Sequence, residues 1–486
     1  MGRSKRCHPY AALHIAHRQY ATVRGVLGKR GPLQWAAFVT CLIVFGLGPF
    51  SAALRDADRY AEVKVSDWPP TNRWVKSTDC ARRRHVWLAI CSDDNKLIPI
   101  SEYALGDDPG HALLLDVWAI ASGKEASLVD VARLNIGLNT IGLMVLASFL
   151  FAIRAYVTSI VLIAAGPVIY LGWIGVSPHW SFIGITSMAL VLPMAILAKE
   201  YGFLTRGSDN AYIALGIVAL SLAALVREVI GDMGLVTTIA VIGFVAVRRR
   251  HLKGHWRGLL VLTSLVLVTS AMPTLVVGAR DVSFAMEPAR HVARHGFSDI
   301  LYKGLGSVPN SLGIASYSDA ASQAGVERVK PGVRYCSPEF YGILRKLYLE
   351  KVVHHPAEVM RIYVEKARLI LADSILDLAP PLGVALIIAL GHFIAATALG
   401  LWRRIGFSQG LLVEGAVIVL IGLFVAQAIL ADPNRMYAMP LGAALVMLLG
   451  VLVEFFGRAA VILLSRSKRK SHYMHPWSEH ASEMDV

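Results

Sequence analysis

The sequence predicts an all-α polytopic membrane protein with about ten transmembrane helices and two large external loops, the first carrying amphipathic juxtamembrane helices. Three observations predict it. Of 486 residues, 55% are hydrophobic and only 17% charged, with a mean hydropathy of +0.54. A soluble chain rarely combines those values. Apolar runs recur at about twenty residues, the length that carries a helix across a bilayer. The basic residues sit in short clusters beside those runs, as the positive-inside rule requires. The net charge of +14 is therefore read as membrane topology. No zinc-finger spacing or aromatic-basic interleaving points to nucleic acid.

Residues 1–32 form a basic N-terminus, with Arg3, Lys5, Arg6, Arg18, Arg24, Lys29 and Arg30, expected in the cytoplasm. Its basic region is long and the first apolar run lacks a small-residue cleavage site, so it reads as a retained anchor. The first span is about 33–53, and a long polar loop covers 54–130. Further spans follow at about 134–153, 156–176, 181–198, 210–226, 233–247 and 258–278, the sixth being short. These complete a membrane core over 33–278. A second external loop, 279–376, reads as partly helical. The C-terminal transmembrane helices occupy 377–465, with spans at about 378–401, 410–431 and 437–457, and 466–486 is a basic cytoplasmic tail.

With the N-terminus inside, Arg154, Lys199, Arg206, Arg248 to Arg250, Arg403, Arg404 and the tail all fall inside. The short outside turns then hold only Arg227 and Arg435. The expected location is the plasma (inner) membrane, multi-pass, with both termini cytoplasmic. Cys80 and Cys91 share the first external loop and can pair if it faces an oxidising space. Cys41 lies within the first span, and Cys7 is expected on the opposite side from the pair.

The chemically varied residues collect on the external face. Asp56-Ala57-Asp58-Arg59-Tyr60-Ala61-Glu62 follows the first span directly. Asp56 and Asp58 would lie at headgroup depth, where partial desolvation raises a carboxylate's pKa and suits it to abstract a proton. A solvated juxtamembrane turn would look the same. Near the loop's end comes Gly106-Asp107-Asp108-Pro109-Gly110-His111. Asp108 before Pro109 reads as an N-cap and first helical residue. Leu114, Val117, Trp118 and Ala121 then recur at helical spacing, Gly123 closes the helix, and Ser127 with Asp130 begins the next as a capping box. Asp107, Asp108 and His111 are candidate site residues, although Asp-Pro-Gly is also an ordinary helix start.

Arg227 and Arg435 each stand where a span ends outside, and both can hold a phosphate by a fork of donors. Arg227 can equally pair with Glu228 or Asp232. His179, in Ser177-Pro178-His179-Trp180, is placed to add a hydrogen bond. In the second loop, Lys303-Gly304-Leu305-Gly306 lacks the third glycine of a dinucleotide fingerprint and reads as a turn-rich segment approaching a ligand or the first loop. Residues 338–376 read as an external helical lid or buttress, with Phe340, Leu344, Leu347 and Tyr348 on one stripe. Within the spans, His392, Glu414 and Glu454 are the main ionisable residues, too few for an obvious ion-coupled transporter.

This layout resembles the GT-C superfamily of membrane glycosyltransferases, in particular the aminoarabinose transferases and protein mannosyltransferase-like members. Asp56-Ala57-Asp58-Arg59-Tyr60-Ala61-Glu62 is similar to their acidic motif, with alanine at the second acid and Asp58 offset by one. Asp108-Pro109-Gly110-His111, Trp118, Gly123 and Arg133 resemble the helix and arginine that lead into the second span, with one proline missing. Arg435-Met436-Tyr437 resembles a late Arg-Tyr turn with an insertion. The resemblance covers the N-terminal third and the general topology. It implies transfer of a sugar from a polyprenyl-phosphate donor in the lipid bilayer to a glycan, lipid or protein acceptor. Asp56 or Asp58 would act as base, and Arg435, Arg227 and His179 would hold the donor phosphate. It also allows a divalent metal, with Asp107 and Asp108 as candidate ligands. The competing classes are a polysaccharide polymerase or ligase, a lipid-linked sugar transporter and a non-catalytic membrane assembly factor.

Overall fold

The computed structural model describes residues 32–63, 69–100, 108–171, 175–205, 207–249, 255–286, 296–374, 380–434 and 438–473. Two of the candidate site residues, Asp107 and Arg435, lie outside them, as does the N-terminal segment with Cys7.

The architecture is helical, as composition predicts. Seven helices among the described residues are long and apolar enough to cross a membrane, and a bent pair makes eight. The first span is a relay of α1 (Pro32–Cys41), a π turn (Leu42–Leu47) and α2 (Gly48–Asp56), closed by a 3-10 turn at Ala57–Tyr60. The first loop contains α3 (Pro69–Arg84), a two-stranded antiparallel hairpin of β1 (Ala89–Cys91) and β2 (Leu97–Pro99), and α4 (Gly110–Ser122). The bundle continues with α5 (Leu128–Ala152), α6 (Tyr156–Leu171), α7 (Phe182–Glu200), α8 (Ser208–Val226) and α9 (Glu228–Arg248). The sixth span is thus not short. Helix α9 begins one residue after α8 ends, because Arg227 alone makes the turn with extended backbone.

The seventh span departs from a straight helix. Residues Trp256–Ser270 and Met272–Ser283 meet at 61°. They belong to α10 (His255–Ser270) and α11 (Met272–Ser283), with Pro273 in the first turn of α11. Proline at a helix start cannot continue the preceding hydrogen-bond ladder, which accounts for the break. The second loop folds as α12 (Phe297–Gly304), α13 (Asp319–Val329), α14 (Pro338–His354) and α15 (Pro356–Ala372). Phe340 and Leu344 are buried, with Leu347 and Tyr348 packed beside them, so the expected stripe forms. It is split from α15 at His355-Pro356. The chain closes with α16 (Leu382–Ala398), the short α17 (Leu401–Arg404), α18 (Ser408–Leu430) and α19 (Leu441–Tyr473).

The densest packing is around α7, most of whose residues are buried. It crosses α5 where Gly142 faces Gly184. A Cβ on Gly142 would lie 2.1 Å from the Gly184 carbonyl oxygen, so this crossing needs glycine on both helices. Conversely, Leu260, Ile387, Ile394 and Leu463 are left exposed on α10, α16 and α19, as lipid-facing residues are.

The turns at one end of the bundle are tied together by arginines. Arg458 donates to the Gly406 and Arg154 carbonyls and pairs with Glu454 at 2.7 Å. Gln409 also donates to the Arg154 carbonyl, and Glu200 holds Arg248 and Arg249. The first loop, α8–α9 turn and second loop lie toward the opposite end, following the helix directions.

Candidate functional site

The first loop is built as a unit before it meets the bundle. The Cys80–Cys91 disulfide joins α3 to β1 as the sequence allowed. Asp116, on α4, is fully buried and accepts from Ser77 Oγ at 2.6 Å and from the Leu88 amide at 2.7 Å. Burial pushes its carboxyl up to about 7 despite those two donors. The Leu88 carbonyl accepts from Arg280 of α11 at 2.8 Å, and Trp87 stacks edge-on with Phe284 at 4.5 Å. The loop is thereby docked on the broken seventh span. Neither Asp116 nor Arg280 stood out in the sequence, because their partners, Ser77 and the Leu88 backbone, are far away in the chain.

Helix α4 packs through a different face from its apolar stripe. His111, Ala112, Leu115, Asp116 and Ala119 are buried, while Val117 is 52% exposed. The inward face carries polar residues because their partners are inside. Of the Leu114–Val117–Trp118–Ala121 stripe, Leu114 and Trp118 pack partly against the core, and Val117 and Ala121 are exposed. Gly123 closes the helix in the left-handed region, φ 68°, and Ser127 with Asp130 forms the expected reciprocal capping box.

Asp108 does not cap its own helix. Its backbone is left-handed, φ 59°, and Pro109 occupies the N-cap without a side-chain bond. The carboxylate turns instead to the α8–α9 turn. It forms an ion pair with Arg227 and accepts from the Glu228 amide at 2.7 Å, capping α9 from another element. Arg227 thus has Asp108 as an ion-pair partner, beyond the Glu228 and Asp232 pairings the sequence offered. Gly110 allows the approach, since a Cβ there would lie 2.6 Å from the Leu225 carbonyl oxygen.

Arg227 lies over the Phe182 ring at 5.2 Å, and His179 packs on the same ring at 5.0 Å. His179 Nδ1 is 2.6 Å from Ser177 Oγ. His111 is buried, not surface-facing. Its Nε2 lies 3.1 Å from Asn135 Oδ1 and 3.3 Å from Ser181 Oγ. Asn135 Nδ2 donates to the Gly175 and Ser177 carbonyls, so its Oδ1 is left to accept from His111. Asp108, Arg227, His179 and His111 thus form one connected cluster around Phe182 and Asn135. The sequence named all four but not the asparagine that links them.

Asp56 and Asp58 lie elsewhere. Asp58 pairs with Arg133 of α5 at 2.8 Å, and Asp56 with Arg59 at 3.1 Å. Their side chains are 58% and 44% exposed, so both remain open to a reactant. Residues 133 and 135 are about 200° apart on a helix, so α5 carries the acidic turn and the histidine cluster on opposite flanks.

A third grouping joins the second loop to the end of α18. Lys366 is fully buried and donates to the Gly304 carbonyl at 2.9 Å and the Ala431 carbonyl at 2.6 Å. Ser307 Oγ donates to the same Ala431 carbonyl at 3.0 Å. Burial pulls the Lys366 ammonium down to about 8, while the nearby Asp432 carboxylate opposes that shift. The glycine-containing segment therefore docks on the end of α18. These contacts hold the backbone immediately before Arg435.

Of the two candidate metal ligands, Asp108 is poorly placed to hold a cation, and Asp107 lies outside the described residues. Both Asp108 oxygens are committed, one to Arg227 and one to the Glu228 amide. No group of three or more metal-binding side chains occurs among the described residues. His392 Nδ1 contacts Glu414 at 2.8 Å and packs against Trp402 and Phe455, which makes it a packed pair between α16 and α18.

No family model matches the chain, and no curated protein matches it. Among solved structures, the crystal structure of ArnT from Cupriavidus metallidurans in the apo state is similar to it at 16% identity, with a TM-score of 0.29, over 80% of this chain and 73% of that one.

Proposed function

We propose that this chain is an integral-membrane glycosyltransferase that moves a sugar from a polyprenyl-phosphate donor to an acceptor hydroxyl at the outer face of the plasma membrane. One observation carries the reading. The acidic turn and Arg133, seventy-five positions apart in sequence, meet in the Asp58–Arg133 ion pair. They are the two pieces of the first loop that resemble the transferase pattern. The Cys80–Cys91 disulfide supports an oxidising, external location for this loop.

In this reading Asp58 is held by Arg133 and fixes the turn. Asp56, whose ion pair is with the adjacent Arg59, takes the proton of the acceptor hydroxyl. The acceptor oxygen attacks the anomeric carbon, the bond to the donor phosphate breaks, and configuration inverts. Arg435 is assigned the charge that develops on the departing phosphate. Arg227 and His179 lie with Asp108 around Phe182, on the other flank of α5 from the acidic turn, and take no part in this step. No metal is assigned a step.

The test is transfer by the purified full chain from a panel of labelled polyprenyl-phosphate sugars. The expected result is labelled acceptor with one of them and inverted anomeric configuration. Transfer that requires a polyprenyl-diphosphate donor would instead support the polymerase or ligase reading.

A further inference from the structure

A crevice of about 900 Å³ separates α7 and α9 from α18. It runs from Thr186 and Ile230, toward the loop end, to Tyr201, Phe244 and Arg403 at the basic end. Fifteen residues separate positions 186 and 201, so its length along α7 is about 22 Å. That is more than half of a hydrocarbon core of about 30 Å. Between its ends the lining is apolar, with Met194, Leu197, Val241 and Leu420 among it, apart from Thr237, whose hydroxyl donates to the Met233 carbonyl. A gap of this kind inside a bilayer holds hydrocarbon in preference to water.

The mouth is not neutral. Arg403 stands exposed on the short α17, where the crevice opens, and forms no ion pair among the described residues. The nearby acid is already committed, because Glu200 holds both Arg248 and Arg249. Arg404 adds a second basic residue beside it. Tyr201, under the Arg248 guanidinium at 4.8 Å, places an aromatic ring at headgroup depth. A phosphate satisfies the Arg403 fork, and a chain esterified to that phosphate enters the crevice.

We propose that this crevice is a lipid site that binds one acyl chain of an anionic phospholipid, with the lipid phosphate on Arg403. The assignment is independent of the glycosyl-transfer reading and lies at the opposite end from the acidic turn. An anionic phospholipid fits because the one acid near the mouth, Glu200, is already paired, Arg403 stands exposed, and the one polar side chain midway along the crevice, Thr237, already donates to a backbone carbonyl.

The test is native mass spectrometry of the full chain in detergent, titrated with phosphatidylglycerol, phosphatidylcholine or polyprenyl phosphate. The wild type should show one saturable phosphatidylglycerol adduct, favoured about fivefold over phosphatidylcholine by one surface-depth arginine. Arg403→Gln, an exposed change that leaves the core intact, should erase that preference. Ala240→Phe, which projects a ring into the crevice, should weaken both phospholipids. Equal binding of the two phospholipids to wild type would overturn the proposal, as would an adduct unchanged in both variants. Preference for polyprenyl phosphate over phosphatidylglycerol would also overturn it, giving the crevice to a carrier lipid.

Discussion

Asp108 caps a helix to which it does not belong, and this sets what its substitution should do. Asparagine keeps an oxygen for the Glu228 amide but removes the charge opposite Arg227. Breaking a largely buried pair typically costs about 3 kcal/mol. Asp108→Asn should therefore lower thermal stability of the detergent-solubilised protein by about that amount, and Asp108→Ala by more. Arg227→Gln should cost a similar amount, and the double variant less than the two added together. Strict additivity would contradict the pairing. The Asp-Pro-Gly pattern pointed to a local cap because sequence does not register the left-handed backbone at Asp108. Asp116 gives a second residue-scale prediction. Burial holds its carboxyl at about 7 in the folded state, above the ordinary 3.8. The folded state thus holds a proton that the unfolded state loses, and stability declines as pH rises from about 4 to 7. A shift of this size corresponds to roughly 4 kcal/mol. Protection of the Leu88 amide, corrected for intrinsic exchange, should be greater at pH 5 than at pH 8. Asp116→Asn should flatten that dependence. A dependence unchanged in the asparagine variant would remove Asp116 as its cause.

At the scale of elements, the start of α5 was legible because capping is local. Ser127, Asp130 and Gly123 act within a few residues of themselves, and each does what its spacing implied. The docking of the second loop was not legible. Lys366 lay within 338–376, the segment read as helical, but its partners are carbonyls far away in the chain, at Gly304 and Ala431. Lys366→Met should leave both carbonyls without this donor, a loss of about 1–3 kcal/mol. It should also speed amide exchange across residues 304–307 and 430–434. If exchange there is unchanged, Lys366 does not hold the α18 end. The break between α10 and α11 was equally hidden, since an apolar run with one proline also describes a continuous kinked span.

For the whole molecule, sequence carried the most information in the segregation of charge. Arg154, Glu200, Arg248, Arg403 and Arg458 gather in the turns at one end, bound together or bordering one crevice. The acidic turn, the Asp108 cluster and the Lys366 junction lie toward the other. Hydropathy and the positive-inside rule read this arrangement because both act over whole spans. They do not reveal which flank of α5 a side chain occupies, and so did not separate Asp58 from His111. Reporter fusions at residues 90 and 320 should be external, and those at 32, 252 and 470 cytoplasmic. A cytoplasmic signal at 90 or 320 would place the acidic turn on the wrong face for a lipid-linked donor.

The most direct measurement is the transfer rate of Asp56→Asn and Asp58→Asn in the full chain, with membrane abundance measured alongside. Loss of a general base typically lowers the rate about a hundredfold to ten-thousandfold. The proposed chemistry predicts that scale of loss for Asp56→Asn at unchanged abundance, with a smaller loss for Asp58→Asn. Full activity in both variants, with the donor that the wild type uses, would contradict it.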